Sequence, residues 1–201
     1  MIKIVIFDDH RERSEAISLL ISFQSNMQCI GIYEDCSDLA QNLASEVPNV
    51  VLMDVHMPGV TGLEGVKLLK KYFPETLIIM QTVFEDDDNL FDALVAGAHS
   101  YILKKTTNSK LIEEIITVYN GGASITPEIA NRALNYFHKS VANNEENAPA
   151  LSNSEEILLT QFSKGYSIMQ IAGDLSVEVS EINFLIRNIY QKMHRSNQHS
   201  L

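Results

Sequence analysis

Five side chains in this 201-residue chain have types and positions that could do chemistry together: Asp8, Asp9, Asp54, Thr82 and Lys104. Each lies just past a short apolar-rich run: Ile2–Phe7, Val50–Met53, Leu77–Gln81 or Ser100–Leu103. Three carboxylates brought this close raise one another's pKa unless a cation neutralises them. An all-oxygen cluster of that kind suits Mg²⁺, which keeps several waters and takes a few carboxylates plus phosphate oxygens. With such a cation bound, one carboxylate can act as a nucleophile toward phosphorus while Lys104 and Thr82 neutralise the transferred group. Asp54 stands alone at the end of its run, facing the acidic pair, and is the expected nucleophile.

For these residues to meet, the runs must be strands whose carboxyl ends open on one edge of a parallel sheet. The alternation of segments supports this. Short β-rich stretches (Ile2–Phe7, Gln28–Tyr33, Val50–Met53, Leu77–Gln81, Ser100–Leu103) are separated by helical patterns. The first helix is expected to bury Ala16, Leu19, Leu20 and Phe23. A short helix follows near Leu39 and Leu43, then stripes through Leu63, Val66, Leu69 and Phe73, through Leu90, Ala93 and Leu94, and through Leu111, Ile115 and Val118. Continuous apolar strands alternating with helices predict a five-stranded, doubly wound α/β sheet covered on both faces. Asp86-Asp87-Asp88 reads as a charged helix start, favourable to the helix dipole. His10 and His56 read as exposed loop residues.

Gly121-Gly122 ends this first domain, residues 1–122. Thr126-Pro127 caps a helix expected to reach about Phe137, and residues 139–150 read as a flexible linker, so that 123–150 connects the domains. Residues 151–201 are helical in pattern: Ser152 or Ser154 caps a helix with Ile157, Leu158 and Phe162 inward. Ile168–Leu175 follows, then a helix from Val177 to about Met193. Ala172, Leu175, Val177 and Ile182 have the spacing of two helices crossing at a tight turn, a helix-turn-helix.

The formal charge of −11 is unevenly held. Residues 1–125 carry 9 Lys/Arg against 18 Asp/Glu, and residues 151–201 carry 4 against 5. The last domain is therefore not basic. No apolar run is long enough to span a bilayer, Asp8 and Asp9 interrupt the N-terminal apolar stretch, and Cys29 and Cys36 lack metal-ligand partners at suitable spacing. Reduced cysteines and a cytoplasmic location are expected, with no membrane contact.

Asp8-Asp9-His10, Asp54-Val55-His56-Met57-Pro58-Gly59 with Gly62-Leu63-Glu64, Thr82, Gly97-Ala98, Tyr101 and Leu103-Lys104 together resemble the receiver domain of bacterial response regulators. The resemblance implies a flavodoxin-like fold phosphorylated on Asp54 by a sensor histidine kinase. Mg²⁺ would be held by Asp9 directly, Asp8 mainly through water, Asp54, and the backbone carbonyl of His56. Thr82 and Tyr101 would be the switch pair and Lys104 the phosphate-pairing cation. The implied switch draws the Thr82 hydroxyl toward the phosphate, lets Tyr101 rotate inward, and promotes homodimer formation. Val83 and Lys105 depart from the small residue and the proline usual after the switch Thr and the Lys.

Residues 163–197 resemble the helix-turn-helix domain of NarL/LuxR-type regulators through Gly165, Ile171-Ala172, Leu175, Asn188-Ile189-Tyr190, Lys192 and Ser196-Asn197; Pro127-Glu128-Ile129-Ala130 looks like that family's linker helix. The resemblance implies transcriptional control through DNA. On the recognition helix Ile182, Ile186, Ile189 and Met193 form the expected buried stripe at helical spacing. Ser180, Asn183, Arg187, Gln191 and Lys192 are the expected DNA contacts. Family members carry Lys, Thr, Lys and His where this chain has Ser180, Glu181, Asn183 and Leu185. Since phosphate contacts supply much of the affinity of DNA readers, an alternative stands beside the first: a degenerate domain that uses exposed Phe184 to bind another protein. A third reading, an aspartyl-phosphate phosphohydrolase, needs a carboxylate two residues after the nucleophile, where His56 stands.

Overall fold

A computed structural model of the chain describes residues 1–83, 88–142 and 150–198, with the side chains of Asp88, 140–142 and 195–198 left undescribed. By its internal contacts the chain divides into two compact units, Met1–Asn120 and Gly121–Leu201.

In the first unit β1 (Ile2–Phe7), β2 (Met27–Tyr33), β3 (Val50–Asp54), β4 (Leu77–Thr82) and β5 (Ser100–Leu103) form one parallel sheet in the order β2-β1-β3-β4-β5. The order reverses at β1/β3, so the crevice for a ligand opens there, beyond the strand ends. The helices among the described residues are α1 (Arg11–Ser22), α2 (Leu39–Leu43), α3 (Gly62–Tyr72), α4 (Asp88–Ala96) and α5 (Asn108–Tyr119). One face of the sheet supplies Ile4, Ile6, Val50, Leu52, Ile79 and Ile102 to a core closed by Ile17 and Ile21 of α1 and Leu111, Ile115 and Val118 of α5. The alternate residues Val5, Phe7, Val51, Met53, Ile78 and Met80 are buried on the other face, as the two-residue period of a strand requires. The expected strands and helices are present.

The face of α1 differs from expectation. Leu19 and Phe23 are 60% and 74% exposed, and Ala16 is exposed too; the buried residues are Ser14, Ile17 and Ile21, with Leu20 half-buried beside them. Ser14 escapes the apolar pattern because its hydroxyl bonds back to the His10 carbonyl, 3.4 Å away. A polar residue thus occupies a core position without an unmet hydrogen bond. Cys36 is buried, its Sγ 3.4 Å from Met53 Sδ; burial first, then Asp35, pushes its thiol up to about 12. Asp88 opens α4, while Asp86 and Asp87 lie outside the described residues.

The second unit contains α6 (Pro127–Ala142), α7 (Asn153–Ser163), α8 (Ile168–Leu175) and α9 (Val179–Gln198). α6 runs past Phe137 to Ala142, so part of the expected linker is helix, and residues 143–149 lie outside the described range. It packs on α7 within the second unit. Ser152 caps α7 and Ser167 caps α8, each in a reciprocal box with Glu155 or Gln170; such boxes satisfy two otherwise orphaned backbone donors. Leu158, Leu159 and Phe162 are buried, whereas Ile157 is 39% exposed, contrary to expectation. Leu175, expected at the helix crossing, is also 39% exposed. Ser176 ends α8 in the left-handed region, φ 54, reversing the chain into α9.

Candidate functional site

The four strand ends place the expected groups together. Asp8 directly follows β1 and Asp54 ends the neighbouring β3, Asp8 wholly buried and Asp54 3% exposed. α3 starts hard against the second of these. A Cβ at Gly62 would collide with the Asp54 carbonyl oxygen, so glycine permits the close approach. Thr61 then caps the helix with Glu64 in return.

Lys104 Nζ lies 2.7 Å from Asp54 Oδ2 and 3.2 Å from Asp8 Oδ2, bridging the two carboxylates. The His56 amide donates to Asp54 Oδ1 at 3.3 Å and the His10 amide to Asp8 Oδ1 at 3.0 Å. Burial pushes the Asp54 carboxyl above its ordinary range; Lys104 pulls it down, the Asp8 charge pushes it up again, and the His56 amide opposes, with the net shift upward. A buried carboxylate whose charge is incompletely compensated beside a second one is the kind of group that accepts chemistry.

Ligand atoms of Asp8, Asp9, His10 and Asp54 all fall within 4.8 Å of one another. This donor set, three carboxylates at the mouth of a sheet, fits a hard divalent cation. Asp9 is the exposed rim member, and its Oδ1 sits 3.0 Å from His10 Nδ1. His10 is an exposed loop residue, as expected, with its ring beside Asp9. Thr82 is buried at the end of β4, and its carbonyl accepts from the Lys104 amide at 2.7 Å. Tyr101 is only 4% exposed. Val83 is exposed, and no cis peptide occurs among the described residues, including the bond after Lys104.

Two residues at the site escaped the sequence reading. Arg13 Nη1 contacts Asp8 Oδ2 at 2.5 Å. Gln81, the register partner of Asp54 on β4, is fully buried, and neither atom of its carboxamide has a hydrogen-bond partner among the described residues. Arg13 left one faint signal, a cation in the first turn of a helix, where the dipole disfavours it.

In the second unit Ile182, Ile186, Ile189 and Met193 are buried as expected. Ser180, Arg187 and Gln191 are exposed and Asn183 is half-buried. The Arg187 guanidinium lies against Gly121 (φ +84), where a Cβ would strike it. Lys192 is committed elsewhere: its Nζ lies 2.5 Å from the buried Glu155 Oε2 and 2.9 Å from the Ala150 carbonyl. Phe184 is 54% exposed.

Residues 4–116 match the family model described as the response regulator receiver domain. The chain belongs to the response regulator family. Among its relatives, the oxygen regulatory protein NreC of Staphylococcus carnosus (strain TM300) is 32% identical over 204 residues, covering 99% of this chain and 94% of that protein. The same-named protein of Staphylococcus haemolyticus (strain JCSC1435) is 31% identical and covers 95% and 90%. Among solved structures, RcsB from Salmonella enterica serovar Typhimurium, bound to a promoter, superposes with a TM-score of 0.58 at 23% identity, covering 96% of this response regulator and 92% of that chain. A DNA-binding response regulator of the LuxR family from Staphylococcus aureus gives a TM-score of 0.54 at 26% identity over 59% of this chain and 99% of that one. These relatives are regulators by name, which sets the phosphohydrolase reading aside.

Proposed function

We propose that this response regulator accepts a phosphoryl group on Asp54 from a sensor histidine kinase and passes the signal to transcription through its helical unit, in the cytoplasm. The observation that carries the reading is the bridge from Lys104 to both Asp54 and Asp8 at the carboxyl edge of the sheet.

Asp9, Asp54 and the His56 carbonyl would hold Mg²⁺, with Asp8 supporting through water. The cation would supply positive charge to the transferred oxygens. An Asp54 carboxylate oxygen attacks phosphorus, and the new P–O bond forms as the donor's P–N bond breaks and the electron pair leaves on the imidazole. Lys104, already 2.7 Å from Asp54, neutralises the added charge without reorganising. Thr82 would turn its hydroxyl to a phosphoryl oxygen, biasing the surface of α4 and β5 toward pairing with a second receiver. Tyr101 would rotate into the space that the Thr82 hydroxyl vacates.

DNA contact would fall to Ser180, Asn183, Arg187 and Gln191, with Lys192 supporting α9 through Glu155. Asn183 and Arg187 can read base edges, and dimerisation would offset the shortage of cations. A second reading is favoured by exposed Phe184 and by the internal use of Lys192: the domain binds a protein instead. A mobility-shift series at low and moderate salt, with Mg²⁺ and a small acyl phosphate, separates the two. A shift that strengthens with phosphorylation is expected; no shift under any condition would sink the DNA reading.

A further inference from the structure

We infer that Arg13 is a built-in cation that competes with the divalent metal for Asp8, partly neutralising the resting pocket and setting the metal concentration at which it fills. The inference rests on the metal reading above and names this chain's own residue that opposes it.

Arg13 has no reason of helix stability to be where it is. It occupies the first turn of α1, close to the unpaired N–H groups, where a positive charge is disfavoured. Its neighbour Arg11 is offset by an ion pair with Glu15 at 2.9 Å, one helical turn along. Arg13 instead reaches back across the helix start to Asp8. Asp8 consequently has both oxygens engaged: Oδ1 by the His10 amide at 3.0 Å and Lys104 at 3.4 Å, and Oδ2 by Arg13 at 2.5 Å and Lys104 at 3.2 Å.

The two cations on Asp8 are not equivalent. The Lys104 side chain is 14% exposed and also anchored on Asp54, whereas that of Arg13 is 26% exposed and, among the described residues, makes its ion pair with Asp8 alone. A guanidinium at the rim can swing into water with modest loss, since its charge stays hydrated and its stem has free rotamers. Arg13 is therefore the group that yields. With it in place, three carboxylates face two side-chain cations. Without it they face one, and a divalent ion meets a more negative pocket.

Calorimetric titration of Mg²⁺ alone into the full chain tests this, comparing wild type with Arg13→Gln and Arg13→Lys. Arg13→Gln is expected to bind Mg²⁺ about 3- to 30-fold more tightly, with the gain shrinking at high ionic strength because the pair is partly exposed. Arg13→Lys keeps the charge and is expected to stay within about 3-fold of wild type. Equal affinity in all three, or weaker binding by Arg13→Gln, overturns the competition while leaving the metal site standing. Absence of Mg²⁺ binding from every protein overturns the metal reading and this inference with it.

Discussion

Asp54 and Glu155 are built from the same parts and are shifted in opposite directions. Each is a buried carboxylate with a lysine on one oxygen, at 2.7 Å for Asp54 and 2.5 Å for Glu155, and a backbone amide within reach. For both, burial is the largest influence and raises the pKa. For Glu155 it is outweighed, by Lys192 and by the amide and hydroxyl of Ser152, and the carboxyl ends below its ordinary value. For Asp54 it is not, because Asp8 adds a second negative charge to the same site and the His56 bond is long at 3.3 Å. The difference separates a clamp from a reaction centre. A carboxylate whose charge is fully satisfied has nothing to gain from a new partner, whereas one left short of compensation does.

The comparison breaks most sharply at Asp54 itself. Asp54→Asn is expected to abolish labelling by radioactive acyl phosphate while melting no lower than wild type at neutral pH, since a raised pKa means the ionised group costs stability there and Lys104 keeps Asp8. Retained labelling would show that another residue is the acceptor.

Removing the counter-charge tests the clamp. Lys192→Ala leaves Glu155 buried without its cation and should destabilise the helical unit by about 2–4 kcal/mol, measured by denaturant unfolding. If Lys192 served DNA, the change would appear in the salt dependence of binding instead. The sign with pH follows from the depressed Glu155 pKa. Its contribution is complete above the unfolded value, about 4.3, and is lost as pH falls through the lower folded value. Wild type should therefore lose more stability between pH 5 and pH 3 than Glu155→Gln, in acid titration followed by far-UV circular dichroism. Equal losses would mean that the pair is not formed in solution.

A smaller effect is expected of the unpartnered amide beneath the site. Gln81→Leu removes two buried polar atoms that have no partner among the described residues and should raise the melting stability of the receiver by about 1–2 kcal/mol. A loss instead would mean that the carboxamide is satisfied in solution. The least effect concerns the recognition face, where Glu181→Lys exchanges a repulsive charge for an attractive one. It should tighten DNA binding about 5- to 10-fold at low salt and steepen the salt dependence by one phosphate contact or more. If DNA is not the partner, nothing changes.

The strand ends were legible because a run of buried apolar residues has to stop where a polar group meets solvent, and the stops at Asp8, Asp54, Thr82 and Lys104 fall on one edge once the strands are parallel. The face of α1 was not. Ala16, Leu19 and Phe23 have helical spacing as good as that of Ile17 and Ile21, and the deciding residue, Ser14, is polar and hides its hydroxyl on its own helix. Arg13 was hidden because its role depends on a backward reach across a turn, and Lys192 was misplaced because its partner lies 37 residues away in the chain. Pattern along one helix cannot show a bond made to another.

Glu155 joins more than a charge pair. Its side chain closes the cap of α7 through the Ser152 amide at 2.6 Å while holding Lys192, in the C-terminal half of α9, at 2.5 Å. Neither helix can fray at that point without releasing the other. In hydrogen exchange the first-turn amides of α7 and those of α9 around Lys192 should therefore open as one unit with a common free energy, although more than thirty residues of chain separate them.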